Sequence, residues 1–503
     1  MDGTVAVFDV GKTNKKLTIF DSRLRSVDKR YRSFESRVVD GIELEPIEEI
    51  REWLLDSLAD LARSHRIEAV GITTHGAGVV TVDNEGAIAC PVVSYTHIPP
   101  EDIHDRFFAA VGDRDELQRS TATIELKPLI NPAKLLFFTQ EMWPDEFARI
   151  RHILFFPQYF AWVLTGKASA DYTYVGCHSY LWDFHAWSWS GVTDALGIRA
   201  MVAEAPRRSW EAVGTIRPTV AERTGISPET PVTVGIHDSN ASLLPYLLKK
   251  KGEDFVLNST GTWCVAMNPG PLGEGMPAEF EGDEIGKSVF FNISAFGRPV
   301  KTTILMGGLE FGTYTEILKD IHKTDTLPDF NKGLYQRIID RRRHFIVPGV
   351  VPGTGQFPDS RARVVDGERE YALDEIRSGA VIPPLFQDLP VSYAVLNLSI
   401  ALQSKVALQR VGLTPGMSIF VEGGFRHNLD YNLLLAAFFP DNPIFLTGIE
   451  EATSFGTALT AWAARDGEEP ERYTALFEIE TFPVRPESFR GITEYEKEFF
   501  SHI

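Results

Sequence analysis

Three cysteines in 503 residues is few, and Cys90, Cys177 and Cys264 lie far apart, with no metal-ligand spacing and no even count for disulfides. That usage fits a reducing interior, and a cytoplasmic setting is expected. Long apolar runs are also missing. The most apolar stretch, HILFFPQYFAWVLTG, is too short to cross a bilayer and is interrupted by Pro157 and Gln158. The N-terminus, MDGTVAVFDVG, has no basic segment ahead of its short apolar run, so neither an export signal nor a membrane anchor is expected. Basic charge is in deficit. The net charge of −19 argues against nucleic acid or an anionic membrane as partner. It does not exclude an anionic nucleotide, because a metal ion and backbone N–H groups can reverse the local potential in a cleft.

What is present is a repeated pattern. VAVFDVGKTNKKLTIFD near the start and FVLNSTGTWCVAM past the middle each read as strand, small-and-hydroxyl turn, strand. Such a turn offers backbone N–H groups and hydroxyls to phosphate oxygens. One hairpin of this kind carries little weight. Two, separated by half the chain, point to a duplicated α/β fold whose halves hold one polyphosphate between them. The length also predicts two large domains. The boundary is placed at 245/246, giving 1–245 and 246–503.

The periodicity predicts a helix over Ile47–Ser64, with Ile47, Ile50, Leu54, Leu55, Leu58 and Leu61 on one face. Further helices are expected at 131–141, 159–164, 394–408 and 453–464, and buried strands at 231–235 and 418–422. The turn VDNEGA reads as a hairpin connection.

Candidate site residues follow the strand ends. Asp9 can hold a hydrated divalent cation, with Gly11, Thr13 and Lys16 in the turn behind it. The segment is no P-loop, since the flanking pattern is strand–turn–strand. Ser259, Thr260, Gly261 and Thr262 form the second turn. Asp238, following a strand in VTVGIHDSNAS, suits either a helix N-cap or a general base that takes a hydroxyl proton. His237 beside it is a substrate contact or a loop residue. Gly423, Gly424 and Asn428 in IFVEGGFRHN suit a strand-to-helix turn or an adenine platform. His75 and Gly76 end the strand AVGITT, where ligands of α/β folds gather. The small residues Ala452, Ser454, Gly456 and Ala458 are explained equally by close packing and by nucleotide contact.

In order, these strings resemble the FGGY carbohydrate kinases of the actin-like ATPase superfamily: D-x-G-x-T-x-x-K at Asp9–Lys16, the strand–THG–strand near His75 and YFAWVLTGKASADYTYV at Tyr159–Val175. The series continues with GIHD at Gly235–Asp238, STGTW at Ser259–Trp263, EGGFRHN at Glu422–Asn428 and EATSFGTA at Glu451–Ala458. The resemblance implies two ribonuclease-H-like domains with ATP, Mg²⁺ and a small-molecule sugar in the cleft between them. Asp238 would then be the base and Asp9 a Mg²⁺ ligand. Thr13 and Lys16 would meet the terminal phosphate, Ser259–Thr262 would form the second phosphate turn, and Gly423, Gly424 and Asn428 the adenosine pocket. The GIHD, GTW and EATSFG strings look most like L-rhamnulose and L-fuculose kinases, which implies phosphorylation of a 6-deoxy-ketohexulose at O1. A pentulose or polyol kinase, or a sensing ATPase without an acceptor, are the alternatives. Lys12 departs from the family pattern and sets an extra cation beside the first turn, facing either phosphate or solvent. A homodimer is compatible with the chain.

Overall fold

The computed structural model describes residues 3–12, 14–270, 278–282 and 284–503. Two mixed sheets of seven strands each form its frame. In the first, the apolar strand Thr4–Val10 is central. It pairs antiparallel with Asn14–Asp21 and parallel with Ile67–Thr74. Ser26–Ser33 adds on one side, and Pro231–Thr233 and Ala212–Thr215 on the other. The second sheet repeats this plan. Phe255–Thr260 pairs antiparallel with Cys264–Asn268 and parallel with Ser418–Gly423. Pro299–Leu305 and Ile444–Thr447 take the corresponding outer positions. Five strands thus recur in one order and one set of directions, which is the ribonuclease-H-like plan in duplicate.

Each sheet is apolar on both faces and is covered by helices, as parallel pairing demands. Ile47–Ala62 lays Ile50, Leu54, Leu58 and Leu61, all fully buried, against Ala6, Phe8, Leu17 and Ile19. Burying each such leucine contributes about 1.5–3 kcal/mol. Leu389–Arg410 covers the second sheet, packing on Val256, Ala266, Ile419 and Val421. This helix is long and apolar enough to cross a membrane, but most of it is buried in the core.

Two helices join the lobes. Asp238–Lys249 lies between the sheets: its Leu243 and Tyr246 pack with Phe255, Leu257 and Phe420 of the second, and its Ala241, Leu244 and Leu248 with Val5, Val7 and Ala69 of the first. Ala452–Asp466 follows the second sheet, yet its Ala458, Leu459 and Trp462 pack with Val5, Val7 and Ala69 of the first. The helices cross at Gly456, where a Cβ would lie 1.8 Å from the Ala241 carbonyl oxygen. Close packing therefore accounts for Gly456 and Ala458. Residue 245, where the sequence suggests a boundary, lies inside the first of these helices. Both helices begin at the gap between the sheets, and the positive ends of their dipoles favour anions there.

Candidate active site

A cavity of about 1010 Å³ opens between the sheets. From the first half it is lined by Lys12, His75, Gly76, His237 and Asp238, and from the second by Ser259–Thr262, Gly423 and Gly424. Asp9, Gly11, Lys16 and Asn428 are not in its wall.

Asp238 opens its helix at the end of the short strand Ile236–His237. Its Oδ1 accepts from the Ser239 backbone N–H at 2.7 Å, while 34% of the side chain stays open. The carboxylate is therefore fixed in direction and still reachable from the cavity. Burial raises its pKa, with His75 and the Ser239 hydrogen bonds opposing. A raised carboxyl is a better proton acceptor once ionised. The preceding backbone is anchored: His237 N–H donates to Thr173 Oγ1 at 3.0 Å, and Thr173 Oγ1 donates in turn to the fully buried Asp171.

Asp9 lies where Thr4–Val10 ends. Ser454 Oγ donates to its Oδ2 at 2.6 Å across the lobes. Burial raises its pKa, and the Ser454 bond and Lys16 oppose. Ser454 thus orients the Asp9 carboxylate, whereas its helix neighbours Gly456 and Ala458 are accounted for by packing. Gly11 N–H donates to the Asn14 carbonyl at 2.9 Å and closes the turn. Thr13 lies outside the described residues. Lys16 Nζ sits 3.4 Å from Glu451.

Lys12 lines the cavity with its ammonium already tied to protein acceptors. Its Nζ donates to Ser36 Oγ at 2.8 Å and to Ser94, and pairs with Glu43 at 3.2 Å and with Glu45. A three-quarters-buried ammonium requires such partners. Lys15, fully buried, donates to the Lys12 carbonyl at 2.6 Å, and desolvation lowers its pKa to about 8.

The second turn is built differently. Thr260 Oγ1 donates to the Glu422 carbonyl and accepts from Phe425 N–H at 2.9 Å, which ties Ser259–Thr262 to the Gly423–Gly424 corner. Gly423 has φ +77°, and a Cβ there would lie 1.9 Å from the Thr260 carbonyl oxygen. Only glycine allows this approach. Asn428 caps the helix Leu429–Phe438 by accepting from Tyr431 N–H at 3.0 Å, and its amide donates to Asn397 at 2.8 Å. Its polar atoms serve the fold.

Sequence reading missed several wall residues. Glu422, whose pKa burial raises, accepts from Tyr246 OH at 3.1 Å and links the helix of Asp238 to the second turn. Ala77, Ile130, Phe290 and Ile304, in one buried cluster with Trp263 packed on it, make an apolar wall at the His75 end. His178 also reaches the cavity, three positions beyond the segment that carried the family resemblance.

The sequence matches the N-terminal domain of the FGGY family of carbohydrate kinases over residues 4–245 and the FGGY C-terminal domain over residues 252–470. The chain belongs to the FGGY carbohydrate kinases. Solved structures of similar shape agree. A carbohydrate kinase from Novosphingobium aromaticivorans is 25% identical, with TM-score 0.76, and the match covers 100% of this chain and 99% of that one. A xylulose kinase from Lactobacillus acidophilus is 13% identical, with TM-score 0.76, over 99% and 97%. Plasmodium falciparum glycerol kinase is 14% identical, with TM-score 0.74, over 99% and 97%. The last two share the fold. This FGGY kinase is therefore a sugar phosphotransferase, and ATP is the family's phosphoryl donor.

Proposed function

We propose that this kinase transfers the γ-phosphoryl group of ATP to O1 of a 6-deoxy-ketohexulose such as L-fuculose or L-rhamnulose. Asp238 takes the proton from the attacking hydroxyl. The Ser259–Thr262 turn, the Gly423–Gly424 corner and the helix N-termini offer N–H groups to the phosphates. Phosphoryl transfer needs positioning and charge neutralisation above all, and these parts supply both.

Asp9 suits Mg²⁺. It is an oxygen donor at a strand end, and its one strong protein bond engages Oδ2 and leaves Oδ1 for a cation or its water. When bound, the ion would neutralise charge on the transferring phosphoryl group.

The observation that carries the sugar class is the wall of Ala77, Ile130, Phe290 and Ile304. A methyl terminus loses nothing against it, whereas a hydroxyl terminus must give up water there. The same cavity is lined by His75 and His237, which burial holds neutral with pKa values of about 4 and about 3. The cations in the wall are taken: Lys12 by Glu43 and Glu45, and Arg426 by the carbonyls of Thr447 and Ile449. A neutral acceptor fits this environment better than a sugar acid.

A panel of ketoses, polyols and aldonates in a coupled ADP-release assay tests the proposal. The expected order puts the 6-deoxy sugars first, by roughly 10–10² in kcat/KM over analogues with a terminal hydroxyl. A preference for a pentulose or glycerol would refute the deoxy assignment. ATP hydrolysis at full rate that no sugar stimulates would favour a sensing ATPase.

A further inference from the structure

The acceptor end of the cavity holds polar atoms with nothing to bond. The ligand atoms of Cys177, His178 and His237 all lie within 4.8 Å of one another, and all three residues are buried. His178 Nδ1 and His237 Nε2 have no hydrogen-bond partner. Buried polar atoms usually find a partner, and here the two unpaired nitrogens belong to residues that converge with a thiol. Nitrogen and sulfur donors in this number match the zinc class of cation, with cavity space for a fourth, solvent ligand.

The cluster is held in place. His178 has φ +41°, uncommon for a residue with a Cβ, and Asn131 Nδ2 grips its carbonyl at 2.8 Å. Asn131 also donates to the Ile124 carbonyl at 3.1 Å, so the clamp is part of the core. His237 Nδ1 lies 3.2 Å from Asp238 Oδ1 and accepts from Ser239 N–H at the same distance. An ion on Nε2 would shift the ring proton to Nδ1, which would give up the Ser239 contact and donate to Asp238, while Ser239 N–H keeps its 2.7 Å bond to Asp238 Oδ1, the carboxylate–histidine–metal arrangement.

We propose that Cys177, His178 and His237 form a binding site for a soft divalent cation of the zinc class, and that the bound ion excludes the acceptor sugar. Binding replaces the thiol S–H bond by an S–metal bond and releases one proton to solvent. The ion fills space beside Asp238 and engages that carboxylate through His237. Mg²⁺ does not compete, because it demands oxygen ligands. The exclusion of sugar rests on the acceptor reading above; the binding does not.

The full-length protein, stripped with a chelator and dialysed, is titrated with Zn²⁺ by calorimetry and with Co²⁺ by absorbance. One ion per chain is expected, together with a near-ultraviolet thiolate–cobalt band. Cys177→Ser abolishes the band, and His178→Gln weakens binding by about 10–100-fold. Affinity rises about tenfold per pH unit, as release of one proton requires. Thermal melts of the metal-free variants check folding. No Zn²⁺ binding at roughly ten micromolar, or a thiolate band that survives Cys177→Ser in a folded variant, would overturn the site. In kinetics at buffered free Zn²⁺, the KM for sugar rises while kcat and the KM for ATP hold. An unchanged sugar KM at full occupancy overturns the exclusion and leaves the kinase assignment intact. If no sugar is phosphorylated at all, the acceptor reading fails, and the cobalt spectrum still reports on the site.

Discussion

The two leading hairpins occupy the same place in two copies of one topology and differ in charge. The tip of the first is saturated with charge: Lys12 is bound by Glu43 and Glu45, Lys15 is turned inward, and Lys16 lies beside Glu451. The second tip, Ser259–Thr262, carries no ionisable group and opens directly on the cavity. Topology therefore supplies two turns of one shape, and electrostatics sets them apart. The first half carries Asp9 and Asp238. The second presents the uncharged turn Ser259–Thr262, with the buried Glu422 hydrogen-bonded to Ser259 and Tyr246. In a chain of net charge −19, a polyanion is best received by backbone N–H groups and helix ends.

The largest expected effect comes from removing the base of the first half. Asp238→Asn should lower kcat by roughly 10²–10⁴-fold and leave ATP binding in place. Because burial raises the Asp238 pKa, wild-type activity should fall on the acid side at a pH above the ordinary carboxyl range. That limb should vanish in the variant. Near-normal turnover would remove Asp238 from the mechanism.

The glycines of the two halves test the comparison next. Gly423→Ala drives a Cβ into the Thr260 carbonyl at a positive φ, whereas a Cβ on Gly11 meets only the Asn14 carbonyl at 3.1 Å with no unusual φ. The expected cost at Gly423 is about 1–3 kcal/mol, seen as a raised KM for ATP with the sugar KM unchanged. Gly11→Ala should move the ATP KM by less than about twofold. Equal effects at the two glycines would mean that both turns hold phosphate alike.

Lys12→Met comes third. It leaves Glu43 and the buried Glu45 without their cation, and stability should drop by about 2 kcal/mol, discounted from a fully enclosed pair because Lys12 is partly open. Chemical denaturation measures the loss. The KM for ATP should stay constant, and a rise in it would put Lys12 on phosphate after all.

The duplication was legible because it rests on local pattern: Val5–Phe8 and Phe255–Leu257 are runs of β-formers, each followed by a turn that glycine and hydroxyl residues signal. Helix bodies were legible for the same reason, with ends displaced by a few residues, as in Leu389–Arg410 against the expected 394–408. The joining of the lobes by two helices was not, since nothing in the spacing of Ala458 or Leu243 says which sheet lies opposite. Site residues read from strand ends, such as Asp238 and Ser259, reach the cavity. Asn428 shows the limit, because capping and ligand binding ask for the same side chain. The apolar wall was invisible, being assembled from Ala77, Ile130, Phe290 and Ile304, four distant segments.

The smallest effect separates the halves by the sign of their response to pH. His178 in the first half has its folded pKa lowered by burial to about 3 from 6.5. Its contribution is fully present above pH 6.5 and is lost as pH falls toward the folded value, because the unfolded chain then binds the extra proton. Glu310 in the second half has its folded pKa raised by burial to about 7 from 4.5, with Gln403 Nε2 donating to it at 2.8 Å. There the folded state holds the extra proton, so stability is present at low pH and is lost as pH rises from 4.5 toward 7. Each slope is at most about 1.4 kcal/mol per pH unit. In metal-free protein, His178→Gln should gain stability relative to wild type as the medium is acidified from pH 6.5 to 5, and Glu310→Gln should gain it as the pH rises from 5 to 7. Denaturant midpoints across this range measure both, and slopes of the same sign would show that the two buried sites titrate alike.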